Sequence, residues 1–368
     1  MIATKFPRLL PRLEGVICLI AAFFLLIQGE TVHTGVAKGL ELCGRILIPS
    51  LFPFMVLAAF WSQRQNTSSR PSVFSRLLAF PPNYLPAVFL GLIGGYPVCA
   101  QCVRSLDRQE RSSRFSQDLL QSCTSAGPAF VLTAVGCGML QRPDLGVRLY
   151  FCHLAGSVFL LLPGWKARRN LLAGEPFRTE GGTAPSTSFS ACLVDSVSSA
   201  IHGVLTMCGF VLLFSGAGNL LTQGLSAILS DPSLPQRVLL SVLEVTAGVT
   251  TCVAQGDLPL LVFALGWGGC SVQFQIFALL RNSRVAVGKF LLARLLHGLF
   301  SAGCFLLWDG ISPLVQTTFL TSASPLHPSF FAGIPGCAAL LFSCAVFLLT
   351  LPARTQKTID RRRHSMVK

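Results

Sequence analysis

The chain has 368 residues, 52% hydrophobic and 12% charged, with a net charge of +14 and a mean hydropathy of +0.62. Soluble domains carry about twice that charge, roughly 25% of residues, so a soluble globular protein is excluded. Several apolar stretches approach or exceed the ~20 residues that cross ~30 Å of hydrocarbon, which implies an all-α polytopic membrane protein.

At the N-terminus, Lys5, Arg8 and Arg12 precede the apolar run Gly15–Ile27. No small-x-small cleavage site follows in "LIQGETV", so residues 1–30 read as a retained first helix and not a cleaved signal. Further apolar segments lie at 35–62, 84–103, 119–139, 145–165, 191–222, 237–255, 258–280, 288–308 and 331–351. The stretches 35–54 and 189–205 are amphipathic, with Lys38, Glu41 and Arg45 in one and Asp195 and His202 in the other. They read as interfacial before turning inward.

Basic residues cluster in short loops, which orients the chain and does not suggest nucleic acid. A basic groove with interleaved aromatics is missing. If 84–103 and 237–255 dip into the membrane and return, both termini and the loops near Arg64–Arg76, Arg104–Arg114, Lys166–Arg178 and Arg281–Lys289 become cytoplasmic. Those regions hold 23 of the 29 Lys and Arg residues, whereas the external stretch 309–330 holds none. That asymmetry favours two re-entrant segments over ten simple spans. "GLIGGYPVCA" (91–100) is then a re-entrant tip, because irregular backbone survives at membrane depth only where protein or a water-filled cavity covers it.

The second half echoes the first. Residues 87–107 align with 237–257, "SCTSAGPAFV" (122–131) with "GWGGCSVQFQ" (266–275), and "RLYFCHLAG" (148–156) with "RLLHG" (294–298). Under the charge-based topology the paired segments run in opposite directions, an inverted-repeat transporter architecture with broken segments meeting near the midplane. The organisation is therefore an N-terminal helix (1–30), a first repeat (31–165), a cytoplasmic linker (166–188), a second, inverted repeat (189–308), an external loop (309–330) and a C-terminal helix with a basic tail (331–368).

Glu244 lies deep in a re-entrant segment, where a charge costs about 3 kcal/mol and faces a cavity or a partner. It reads either as a ligand group or as a cap on the nearby backbone break. Arg294 and His297 share a helix face, with Arg148 and His153 as their repeat partners. They read as donors locking the tips through backbone carbonyls, or as a proton relay. Thr124, Ser125, Thr250, Ser271, Gln273 and Gln275 supply neutral hydrogen-bonding groups that suit a polar solute or serve as glue between helices. Nearly all fourteen cysteines lie in apolar segments, so no disulfide framework is expected. Cys99, Cys102, Cys252 and Cys270 form a weak alternative metal set, with packing the simpler account.

"IPSLFPF" (48–54), "GGYPVCA" (94–100), "GWGGCSVQFQ" (266–275) and "ARLLHG" (293–298) occur in that order. These motifs resemble the YlbJ-type sporulation integral membrane protein family, of the nucleoside-recognition Gate domain superfamily, over roughly residues 35–310. Gly94 and Cys99 depart from the serine and glycine of its Tyr-Pro motif, and Thr124, Ser125 and Ala126 depart from its usual asparagine and serine. The resemblance implies a role in spore cortex formation and a transport-like fold in the bacterial cytoplasmic membrane. Under the inverted-repeat reading, Gly94, Gly95, Tyr96 and Pro97 lie at a tip expected to present backbone groups to a solute.

The expected function is a transporter or channel for a small polar solute such as a nucleoside, with no cofactor. The alternatives are a scaffold for sporulation membrane proteins, a homo-oligomer included, and a ferrous-iron permease. No H-E-x-x-H, G-x-S-x-G or P-loop is present, which argues against an enzyme or a nucleotide-driven pump.

Overall fold

The computed structural model describes residues 15, 16, 19, 22, 23, 25–63, 73–109, 113–174, 188–281, 283 and 285–313. The expected C-terminal helix and tail, the external loop from 314 on and linker residues 175–187 lie outside the described residues. All regular structure among the described residues is helical. Five helical stretches, the fourth of them interrupted at Gly268, are long and apolar enough to cross a membrane: Gly29–Gln63, Pro143–Leu161, Phe189–Ile228, Leu258–Leu279 and Val287–Ile311. The protein is an all-α, multi-pass membrane protein.

One sequence of elements occurs twice. Helix α1 (Gly29–Gln63), whose stretch Cys43–Leu47 is π-wound, is followed by a short α2 (Val73–Leu78). A hairpin of α3 (Leu85–Gly94) and α4 (Tyr96–Gln109) comes next, then an interrupted helix of α5 (Ser113–Cys123) and the π-wound α6 (Ala129–Met139). Helix α7 (Pro143–Leu161) closes the first half, and α8 (Trp165–Gly174) follows it. The second half repeats the order with α9 (Phe189–Ile228), the hairpin α10 (Ser233–Leu243) and α11 (Val245–Gln255), the interrupted pair α12 (Leu258–Trp267) and α13 (Gly269–Leu279), and the closing α14 (Val287–Ile311).

The hairpins fold back sharply. Residues eight apart in a straight helix lie about 12 Å apart, yet a Cβ on Gly91 would sit 3.1 Å from Cys99 Cβ. In the second hairpin a Cβ on Gly248 would sit 2.5 Å from Ser241 Cα. Three of the four arms, of ten or eleven residues, are only about 15–17 Å long, and α4, of fourteen, about 21 Å, all short of the hydrocarbon thickness. The two turns use different chemistry. Gly95 takes φ 86°, ψ 178°, open essentially only to glycine. Glu244 is extended, at φ −144°, ψ 120°, and caps α11 with its side chain.

Helices α1 and α9 pack antiparallel along their length. Near one end Thr31 Oγ1 donates to Gln223 Oε1 (2.7 Å) and Asn219 Nδ2 to the Thr31 carbonyl (2.7 Å). Near the other, Gln63 Nε2 donates to Ser196 Oγ (3.3 Å). Small buried residues on α9, among them Ser196, Ala200, Gly203, Ser215 and Gly216, let the backbones approach, as membrane helices favour. Helices α7 and α14 cross antiparallel as well: Arg148 reaches Asp309 and the Ser312 carbonyl, while Gly156 meets His297 and Ser301. Counterpart helices running in opposite directions are what an inverted repeat requires.

Three expectations are corrected. The amphipathic stretches 35–54 and 189–205 do not turn inward but run unbroken within α1 and α9. The segments 119–139 and 258–280 are not simple spans; both are interrupted. The start of the expected linker is the helix α8, whose Arg168, 1% exposed, pairs with Asp118 at 3.0 Å and stacks over Phe80.

Candidate functional site

Four interruptions converge between the two long helices. Gly95, Tyr96 and Pro97 of the first hairpin face Glu244, Val245 and Thr246 of the second. Ala126 and Gly127 contribute from the first interrupted helix, and Val272 and Gln275 from the second. Leu47, Ser50 and Leu51 on α1 and Met207 and Val211 on α9 complete the wall. The cavity measures about 30 Å³, room for roughly one water molecule.

Each hairpin tip rests on the interrupted helix of its own half. A Cβ on Gly127 would lie 2.5 Å from the Ile93 carbonyl oxygen, and one on Gly269 would lie 2.8 Å from Val245 N. The halves are also tied across the centre, where the Tyr96 hydroxyl donates to the Leu265 carbonyl. In α12, Trp267 Nε1 donates to the Val242 carbonyl at the end of α10 (3.0 Å).

Glu244 is 1% exposed. Its two oxygens accept from Thr246 N (3.0 Å) and Ala247 N (2.6 Å), so the carboxylate occupies the positive end of α11 while also lining the cavity. Both sequence readings of this residue therefore have a geometric counterpart. Glu244→Ala is expected to cost about 0.5–2 kcal/mol, the value of an N-cap, and Glu244→Ser to recover most of it. Thermal unfolding in detergent checks both.

Arg294 holds the first interruption shut. Its guanidinium donates to the Gln121 and Thr124 carbonyls, two groups freed where α5 ends. It also donates to His297 Nδ1 (3.0 Å), which leaves His297 Nε2–H to donate to the His153 carbonyl (2.8 Å). His153 Nε2 accepts from Ala126 N (2.9 Å), so that ring carries its proton on Nδ1. Each imidazole thus receives a hydrogen bond from a group that can only donate. The arrangement matches a lock on the tip, and a relay would have to break it.

The other anticipated residues divide. Gln275 lines the cavity and donates to the Met207 carbonyl (3.5 Å). Thr124 and Ser125 are buried at the first interruption, where Thr124 Oγ1 donates back to the Leu120 carbonyl (2.6 Å). Ser271 and Gln273 are buried on α13, with Gln273 Nε2 donating to the Trp267 carbonyl (3.4 Å). Gly94 is buried behind the tip. Thr250 does not join the site: it is exposed on α11 and donates to the Thr246 carbonyl.

Arg148 does not mirror Arg294. It sits five residues before its histidine instead of three, so it faces Phe305, Trp308 and Asp309 at the far end of α14. The four cysteines are not gathered either. Cys99 contacts the Leu119 carbonyl, Cys252 contacts Ser241, and no group of three metal-binding side chains occurs among the described residues. Sequence reasoning missed Ser50 and Met207, and it missed Gly127, whose glycine-proline pair with Pro128 was the available signal.

A search for relatives adds one point of reference. The chain is similar to the sporulation integral membrane protein YlbJ of Bacillus subtilis (strain 168). The two are 27% identical over 336 residues, with 79% of this chain and 82% of YlbJ covered. No family model matches the chain, and no solved structure matches it. The similarity to YlbJ takes in more of the chain than either half alone, so it supports a YlbJ-like reading of the whole arrangement.

Proposed function

We propose that this protein moves a small polar solute, such as a nucleoside or related metabolite, across the bacterial cytoplasmic membrane by alternating access between its two hairpin tips. The observation that carries the reading is the central cavity, walled by both hairpin turns, the first interrupted helix at Ala126–Gly127, Val272 and Gln275 of α13, and both long helices. Such interruptions at membrane depth are otherwise costly, and in inverted-repeat transporters they build the substrate site. A small-molecule pocket needs about 300 Å³ or more, so the cavity here corresponds to a closed state in which the tips must part to admit solute. The Gate domain resemblance points the same way, the similarity to YlbJ suggests that the work is done in sporulation, and the loop charges favour cytoplasmic termini.

Uptake into proteoliposomes of a panel of labelled nucleosides, related metabolites and divalent metals tests the proposal. Accumulation of at least one neutral polar solute is expected, and it should fall in Gln275→Ala and in the cap-preserving Glu244→Ser while both variants stay folded. Failure of every solute to enter would leave a scaffold as the better reading.

A further inference from the structure

Two copies of one short pattern meet where the closing helices cross: His153-Leu-Ala-Gly-Ser157 on α7 and His297-Gly-Leu-Phe-Ser301 on α14. Histidine and serine four residues apart share a helix face. The crossing is close, since a Cβ on Gly156 would sit 2.2 Å from His297 Cδ2 and 2.3 Å from Ser301 Oγ. The two imidazoles stack with centroids 4.6 Å apart. All four side chains are at most 1% exposed.

Three polar atoms here lack a protein partner: His153 Nδ1, Ser157 Oγ and Ser301 Oγ. Several other helical serines, Ser50, Ser122 and Ser196 among them, donate to the carbonyl four residues earlier, although Ser215 and Ser271 do not. Ser157 and Ser301 do not either. A buried, unsatisfied polar group is destabilising, so three in one crossing call for a partner. The partner must accept from His153 Nδ1–H and satisfy two hydroxyls.

We infer that the α7–α14 crossing holds a single ordered water, accepting from His153 Nδ1–H and bridging the hydroxyls of Ser157 and Ser301. A cation is unsuited to a site with an imidazole N–H aimed into it and the Arg294 guanidinium nearby. A halide could accept from the same three donors, but the tight approach at Gly156 favours the smaller water. The water acts as a positioning ligand. By accepting the Nδ1 proton it fixes the His153 tautomer whose Nε2 holds Ala126 N, and Ala126 and Gly127 wall the central cavity. This inference stands whether or not the cavity carries solute.

Thermal unfolding of the full-length protein in detergent, with Ser157→Ala, Ser301→Ala and the double variant, tests it. Each single change is expected to lower the midpoint, and the double variant to fall by clearly less than the sum, because the three groups share one partner. Midpoints that stay level or rise on losing a hydroxyl would overturn the inference, since truly unsatisfied hydroxyls are better removed. A midpoint that depends on chloride in the wild type and not in the double variant would replace water by a halide. Two further measurements do not depend on stability. A cryo-EM map of the whole chain should show density within hydrogen-bond reach of all three atoms, and its absence refutes the site. The ¹⁵N resonance of His153 Nδ1 should report a hydrogen-bonded N–H that shifts in the double variant, and no shift counts against the water.

Discussion

Arg294→Met is expected to be the most damaging single change in this protein. The side chain fits an apolar environment but leaves the Gln121 and Thr124 carbonyls without their donor, and His297 Nδ1 without its own. Hydrogen bonds from a charged donor are worth about 1.5–3 kcal/mol each, so losing the two carbonyl contacts costs about 3–6 kcal/mol. Arg294→Lys should recover only part of the loss, because an ammonium is a point donor and cannot span two carbonyls as a planar guanidinium does. Monodispersity by size-exclusion chromatography and the unfolding midpoint in detergent would read the order wild type, Lys, Met. A Met variant as stable as wild type would remove Arg294 from the role of clamp.

The second large effect is expected at the other interruption. Gly269 has φ 74°, and a Cβ there would lie 2.8 Å from Val245 N and 3.1 Å from Glu244 Cα. Left-handed backbone costs an alanine about 1–2 kcal/mol, and forcing the hairpin tip away adds about 1–3 kcal/mol of overpacking, so Gly269→Ala should lose about 2–5 kcal/mol. Gly303→Ala, on α14 with nothing within 4 Å of the new methyl, is the matched control and should be neutral or stabilising by up to about 1 kcal/mol. If the two substitutions behave alike, the hairpin tip is not seated on the Gly268–Gly269 break.

Much of this arrangement was readable from residues alone, and the exceptions have physical causes. Glycine and proline in an apolar run marked the first tip, because such residues are expensive in lipid, and the same reasoning singled out Glu244 as a carboxylate out of place. It stopped short at 119–139 and 258–280, where average apolarity concealed the Gly127–Pro128 and Gly268–Gly269 breaks. Hydropathy averages over a window, whereas a break depends on one or two dihedral angles. Arg148 misled because a two-residue change in spacing from its histidine turns the side chain by about half a helical circuit. Thr250 was placed by distance along the chain, but the α11 period carries it outward. Ser50 and Met207 join the cavity from long helices whose local sequence says nothing about what lies opposite. Only the pairing of α1 with α9 brings them in.

The length of α9 has a mechanical consequence. Forty residues at 1.5 Å each make a rod of about 60 Å, roughly twice the depth of the hydrocarbon layer. It has no proline and no interruption, and its Ser215–Gly216 pair, a step where helices can kink, is packed against Val32, Gly35 and Val36 of α1. A tilt imposed at its Phe189 end must emerge, opposite in direction, at its Ile228 end, like a seesaw pivoting in the lipid. One protruding end is therefore a place from which a binding protein on one face could be felt on the other.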